Sequence, residues 1–222
     1  MNDGNFYEQL SKDICITHKP GLVTSLLHKS LERHIQRKNF ANILEIGGNV
    51  GEHLPFVKHG FDNYIVSDIR VIHEEEQNKE LLPSQKSVTY EVADCQNLQY
   101  SNKMFDRVIV TCVLHHISEL EVALKEINRV TNAGGQIDIL LPCDPGMLYR
   151  FSRQISSLRK ARKLKRYQEA RLFHAREHRN HFDSILTLIK NEFARSSITV
   201  RYSPFLFRSW TFELFTAIRI KK

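Results

Sequence analysis

Cysteine is scarce and scattered in this chain. Its four residues, Cys15, Cys95, Cys112 and Cys143, form no C-x-x-C pair, which speaks against a disulfide framework and against a cysteine zinc site. A reducing cytoplasm is the expected compartment. Long apolar runs are missing too: the stretch 108–114 is interrupted by Thr111 and is far too short to cross a bilayer. The opening MNDGNFYEQLSKD is polar, so neither secretion nor a membrane span is expected. No internal repeat or low-complexity tract occurs. The dinucleotide fingerprint G-x-G-x-x-G fails as well, because Asn49 and Glu52 stand where its second and third glycines would fall after Gly47, and NAD is disfavoured.

A chain of 222 residues is long enough to bury a substantial core as one domain. Its formal charge of +7 is concentrated in one segment: residues 150–180 hold eleven Lys or Arg against Glu169 and Glu177, and the remainder is slightly acidic.

The chain is organised around residues 43–54, ILEIGGNVGEHL. An apolar run carrying one acid, Glu45, meets Gly47, Gly48 and Gly51 with Asn49 between them, then continues into a stretch read as a helix over 51–59 with Pro55 in its first turn. Glycines let the backbone turn sharply and approach a ligand, while free amides and a helix dipole face whatever sits above. Asn49 is the non-glycine type best suited to positive φ.

Residues 64–68, YIVSD, read as a second strand ending in Asp68. An acid there suits a ribose, since a carboxylate accepts two hydroxyl protons; the competing reading is a cap on a helix over 71–82. Residues 88–93 alternate and lead to Asp94-Cys95. The run 105–116, FDRVIVTCVLHH, is too apolar for a half-exposed strand and predicts the centre of a parallel sheet. A helix over 119–130 with Ser118 as N-cap, a turn over 131–135 and a fifth strand over 136–141 follow. This order predicts an open α/β sheet with right-handed crossovers, which binds ligands at the carboxyl ends of its strands. Residues 45–51, Asp68, Asp94 and residues 111–116 all fall there.

These residues resemble motif I and the later acidic positions of the class I S-adenosylmethionine-dependent methyltransferases. Glu45, Gly47 and Gly51 match, and Asn49 departs from the middle glycine. The resemblance covers residues 40–142 well and the last strands loosely. It implies a Rossmann-like, seven-stranded, mostly parallel sheet with helices on both faces and one antiparallel strand near the C-terminus. It also implies S-adenosylmethionine as cofactor, released as S-adenosylhomocysteine. By the same resemblance Glu45, Gly47, Gly48, Asn49 and Gly51 form the cofactor loop, Asp68 and Ile69 the ribose side, and Thr111, Cys112 and Val113 the methionine side. Asp94 and Cys95 meet the adenine through the side chain or the next amide, a turn-forming role being the alternative for Asp94.

Beyond Gly146 the chain changes character. Leu148, Phe151, Ile155 and Leu158 recur at helical steps on an otherwise basic segment, read as a helical insertion after the fifth strand over 146–180. A helix over 181–193 and two strands, 197–203 and 210–220, close the chain. The first forty residues read as a helical cover with Leu22, Leu26, Leu27 and Leu31 on one face. The expected layout is one methyltransferase domain: cover 1–40, cofactor core 41–142, insertion 146–180, and closing elements 181–222.

Methyl transfer from a sulfonium is a direct displacement, so the enzyme aligns the acceptor and, for a hydroxyl, removes its proton. His115 and His116 stand where the donor methyl should point and are the catalytic candidates; ordering the cofactor or capping the next helix is the alternative. His174, His178 and His181 would share one face of a continuous helix, yet no cysteine or carboxylate completes a tetrahedral set, and no metal is expected. His174, Arg176, His178 and Arg179 are read as acceptor-binding residues suited to an anionic group, against a solvated helix face.

The basic insertion suits a phosphorylated or acidic acceptor, an anionic membrane surface, or nucleic-acid phosphates. Nucleic acid is disfavoured, because VLHH stands where base methyltransferases carry an Asn or Asp, two prolines and an aromatic. A weaker resemblance of the insertion and its EHRNHF phrase, to methyltransferases of bacterial surface-polysaccharide pathways, points to a sugar or saccharide acceptor. The rival is a non-catalytic nucleic-acid or membrane-binding protein that retains the fold.

Overall fold

The computed structural model describes residues 22–33, 35, 37, 39–73, 77, 87–205 and 209–222. Seven strands form one sheet: β1 (Asn39–Ile46), β2 (Gly60–Asp68), β3 (Ser87–Val92), β4 (Phe105–Thr111), β5 (Thr131–Pro142), β6 (Ser197–Ser203) and β7 (Phe215–Lys221). Their order is β3-β2-β1-β4-β5-β7-β6, parallel throughout except for β7, which runs antiparallel to both neighbours. The Rossmann-like expectation is met.

Periodicity explains which side each residue takes. Along β1, Ile43 joins one apolar cluster with Leu27 and Leu31 of α1 (Leu22–Glu32), while Leu44 and Ile46 join the opposite one; Phe40, at the start of the strand, departs from the alternation and packs with Ile43. That second cluster packs the sheet against α2 (Leu120–Val130) and α6 (Phe182–Glu192) through Leu124, Ile127, Phe182, Ile185 and Ile189. All seven residues of β4 are buried, as a central strand covered on both faces requires.

The register decides where the site forms. Ile46 pairs with Ser67 and Val110, Asp68 with Val92, and Thr111 with Leu140. The carboxyl ends of five strands therefore lie in one row.

Several expected elements differ. In place of a helix over 51–59 there is a turn and a single 3₁₀ turn, Leu54–Phe56. Pro55 supplies no amide, and only eight residues separate Gly51 from β2, too few for a seated α-helix. The helix expected over 71–82 lies largely outside the described residues, as do residues 1–21. Ser118 does not cap α2: its hydroxyl and the Glu119 amide both donate to Gln96 Oε1, each at 2.9 Å, so Gln96 closes that helix end from across the edge.

β5 begins at Thr131, earlier than the predicted turn allowed, and β7 starts at Phe215 after a 3₁₀ turn, Trp210–Phe212. The insertion forms three helices, α3 (Met147–Ile155), α4 (Ser157–Lys163) and α5 (Tyr167–Glu177). Its apolar stripe breaks at Ser156: Leu158 is buried with Ala161 and Ala170, whereas Phe151 and Ile155 face solvent.

Candidate active site

The glycine turn is held from beneath. Glu45 is fully buried; its Oε1 accepts the His53 amide at 3.2 Å and its Oε2 accepts the Tyr64 hydroxyl at 2.6 Å. Burial pushes its carboxyl above the ordinary value. Glu45 therefore ties the turn to β2, and neither oxygen is turned toward the ligand side as the sequence implied.

Above it, Gly47 and Gly51 have φ of +66° and +85°, and Asn49 adopts φ 48°, the conformation for which it was singled out. A Cβ on Gly47 would lie 1.9 Å from Val113 Cγ2, so only glycine lets the loop after β4 close over the turn. No α-helix N-terminus backs the turn, so any anion-binding capacity rests on the turn's own amides.

Asp68 caps this arrangement. Its Oδ2 accepts the Asn49 amide at 3.1 Å and its Oδ1 accepts the Arg70 amide at 3.0 Å, while the Arg70 guanidinium donates to Asn49 Oδ1. The carboxylate thus sits at the turn, and each oxygen keeps a second lone pair for a hydroxyl. Next to it Ile69 is 73% exposed, and Val92, paired with Asp68, is 47% exposed. These two apolar side chains stand bare beside the Asp68 carboxylate at the carboxyl ends of β2 and β3.

Asp94 makes the turn that was the competing reading, accepting the Gln96 amide at 2.9 Å. The Cys95 side chain is buried in the core, and burial raises its thiol to about 12. Only its backbone is left for a ligand. Thr111 is buried, and Cys112 turns the chain at φ 56° with its thiol likewise pushed up to about 12 by burial.

The histidines gather across the edge from the turn. His115 and His116 follow β4, and His174 and His178 come from the end of α5. Ring centroids are 3.9 Å apart for His115–His116, 4.4 Å for His115–His178, 5.1 Å for His116–His178 and 3.7 Å for His174–His178. Backbone contacts clasp the two segments: the His115 carbonyl accepts the Arg179 and Asn180 amides at 2.8 and 3.1 Å, and Asn180 Nδ2 donates to the Leu114 and Ile117 carbonyls.

His116 Nδ1 lies 2.9 Å from the Glu177 carbonyl and His178 Nδ1 lies 2.8 Å from Asp144 Oδ2. His174 Nε2 is shared between Asp144, at 3.2 Å, and the Arg153 guanidinium. Burial, reinforced by the neighbouring rings, holds His115 well below its ordinary value, His116 down to about 4 and His174 down to about 3. These three imidazoles are neutral at pH 7. Burial alone would raise the Asp144 carboxyl, but the His178 hydrogen bond, the adjacent histidine rings and the Arg153 guanidinium together hold it below its ordinary value.

The sequence reading paired His174 with His178 correctly, but α5 stops at Glu177, so exposed His181 leaves that face. Arg176 and Arg179 are exposed outside the cluster. Asp144 was missed altogether. Its tie to His178 spans 34 residues, and only its place just beyond the fifth strand, at the same edge, could have drawn notice.

Residues 44–139 match the family described as a methyltransferase domain. The fold is the Rossmann-like fold of methyltransferases. Among solved structures, the N-methyltransferase NodS of Bradyrhizobium japonicum, in complex with S-adenosylhomocysteine, superposes on this methyltransferase fold with a TM-score of 0.65 and 14% identity over 98% of each chain. A possible histamine N-methyltransferase of Thermotoga maritima does so with a TM-score of 0.59 and 16% identity, covering 99% of this chain and 96% of that one. At such identities the likeness is one of fold. The hybrid PKS-NRPS synthetase poxE of Penicillium oxalicum is 26% identical over 143 residues, which is 61% of this chain. The chain spans about 3% of the length of the curated relatives it matches.

Proposed function

We propose that this chain transfers a methyl group from S-adenosylmethionine to a small-molecule acceptor, with a sugar or saccharide intermediate as the leading acceptor class. One observation carries the reading: the glycine turn, Asp68, the exposed Ile69 and the histidine cluster occupy a single row of strand ends. The turn and Asp68 would hold the cofactor's ribose and methionine ends, with Ile69 and Val92 against the adenine and the amide after Asp94 beside it. Thr111, Cys112 and Val113 would border the sulfonium.

The histidines would receive the acceptor. His116 donates Nδ1–H to a carbonyl, so its Nε2 carries a bare lone pair. That nitrogen can take a proton from an acceptor hydroxyl, though an imidazole held near 4 is a weak base and must rely on alignment as well. Exposed Arg176 and Arg179 at the rim would suit a phosphate or carboxylate on the acceptor.

The test is transfer of labelled methyl from S-adenosylmethionine to a panel of sugar phosphates and nucleotide sugars, with wild type and His116→Ala. The reading expects turnover in wild type and a loss of at least about 100-fold in the variant, in line with general-base removal. Equal rates would exclude His116.

The insertion supports a compatible second property, a peripheral seat on an anionic bilayer. Met147, Phe151 and Ile155 project from one face of α3 and are 64%, 61% and 58% exposed, beside the exposed Arg159, Lys160, Arg162 and Lys163. Among the described residues no helix is long and apolar enough to cross a membrane. Phe151→Asp should abolish co-sedimentation with phosphatidylserine vesicles, and undiminished binding would refute this seat.

A further inference from the structure

We infer that His115, His116 and His178 together bind one divalent first-row transition-metal ion. One nitrogen of each lies within 4.8 Å of the others, so small ring rotations bring all three to the roughly 2.0–2.1 Å of a zinc–imidazole bond.

The hydrogen bonds around the cluster already select the metal-binding form. A backbone carbonyl can only accept, so His116 Nδ1 must carry the proton in its 2.9 Å contact with the Glu177 oxygen. The Asp144 carboxylate oxygen lies 2.8 Å from Nδ1 of His178, which donates to it. In both rings Nδ1 is the engaged nitrogen, which turns Nε2 toward the interior of the cluster as the atom available to a ligand. A carbonyl and a carboxylate behind the ring are the partners that orient ligating histidines. The third ring supplies an independent sign: His115 is 4% exposed, and its Nδ1 is buried without a hydrogen-bond partner. A buried polar atom left unpaired is unfavourable unless something binds it.

The neighbouring group of Asp144, His174 and His178 is the weaker alternative. His174 Nε2 is already held by the Arg153 guanidinium, and that fixed positive charge repels a cation. Three imidazole donors, with no fourth ligand grouped with them among the described residues, select zinc, nickel, cobalt or iron over magnesium or calcium, and they leave a coordination position open. If the methyltransferase reading holds, an acceptor oxygen would take that position and become acidic enough to release its proton to solvent, and His116, its Nε2 lone pair then on the ion, would act as a ligand in place of a base.

The test is calorimetric titration of the chelator-stripped protein with Zn²⁺, with Co²⁺ absorption as a second readout. One ion per chain should bind with a Kd of about 1 μM or tighter. His116→Ala and His178→Ala should abolish binding. Asp144→Asn should weaken it by about 10- to 100-fold through the lost orientation of His178. His181→Ala, at an exposed position outside the cluster, should leave it unchanged. Circular dichroism and S-adenosylhomocysteine titration of each variant report whether it folds. No Zn²⁺ binding in wild type, or binding that survives both His116→Ala and His178→Ala, overturns the site. Loss on His174→Ala with retention in His115→Ala and His116→Ala also overturns it, by moving the ion to the Asp144 group. Failure to bind S-adenosylhomocysteine with Zn²⁺ binding intact would count against the methyltransferase reading alone.

Discussion

Replacing Arg107 with methionine tests how the fold supports the glycine turn. Arg107 is fully buried on β4; its Nε donates to Asp138 Oδ2 and its Nη2 to Glu32 Oε1, both at 2.7 Å, and its Nη1 to His59 Nε2 at 2.5 Å. Asp138 keeps Arg219 at 2.7 Å and Gln136 at 2.6 Å, so the loss falls mainly on Glu32. Glu32 in turn accepts from His53 at 2.8 Å, and the amide of that histidine is the one that holds Glu45.

Burial alone would raise the Glu32 carboxyl, but the His53 hydrogen bond and the Arg107 charge bring it from 4.5 down to about 2. That displacement corresponds to about 3 kcal/mol of stability at neutral pH, of which only the Arg107 share is lost in the variant, but breaking a buried pair from one side also leaves its partner charge uncompensated and costs roughly 3–5 kcal/mol in all. Arg107→Met should therefore unfold about 3 kcal/mol more readily, or about 10 °C lower for a chain of this size.

The sign follows from the depressed value. Stability from Glu32 is complete above its ordinary 4.5 and fades as pH falls toward about 2. In the variant burial dominates and the carboxyl rises. The gap between the two proteins should be widest near neutrality and close on acidification through that window. Urea unfolding of both, from neutral pH to about pH 3, measures it. A deficit under about 1 kcal/mol, the scale of an exposed pair, or one that does not change with pH, would refute the reasoning.

Gly47→Ala should lower stability by about 1–3 kcal/mol, because the new methyl meets Val113 at a backbone φ of +66°, and should weaken S-adenosylhomocysteine binding in calorimetry. Gly134→Ala, with φ +77° but nothing within 4 Å of its Cβ, should cost only about 1 kcal/mol and leave that binding intact. Asp68→Ala removes the acceptor of two backbone amides and should weaken the same titration by about 10- to 100-fold, with circular dichroism unchanged. Asn180→Ala, losing hydrogen bonds to Leu114 and Ile117, should loosen the histidine loop: kcat falls and acceptor KM rises while S-adenosylhomocysteine affinity holds.

Much of the fold was legible because apolar periodicity and glycine placement are local signals. The buried run 105–111 announced a central strand, and Asn49 in a glycine turn announced positive φ. The failures are of contacts made at long range. Glu45 looked like a ligand-facing acid because its sequence neighbours form the turn, yet Tyr64, 19 residues away, claims it from below. The helix after the turn was overread, since nothing local marks β2 as starting so soon after Pro55. The histidine cluster was legible only in halves: two residues after β4 and two on α5 were named, but what joins them is a loop clasp spanning more than 60 residues and a carboxylate, Asp144, on a third segment.

Binding of S-adenosylhomocysteine to the wild-type chain, followed by calorimetry alongside Asp68→Ala, bears most directly on the shared row of strand ends. Saturable binding at one site per chain, lost or much weakened in the variant, is what this arrangement predicts. A wild-type chain that is folded by circular dichroism yet gives no saturable heat, or binds as well without the Asp68 carboxylate, would contradict it.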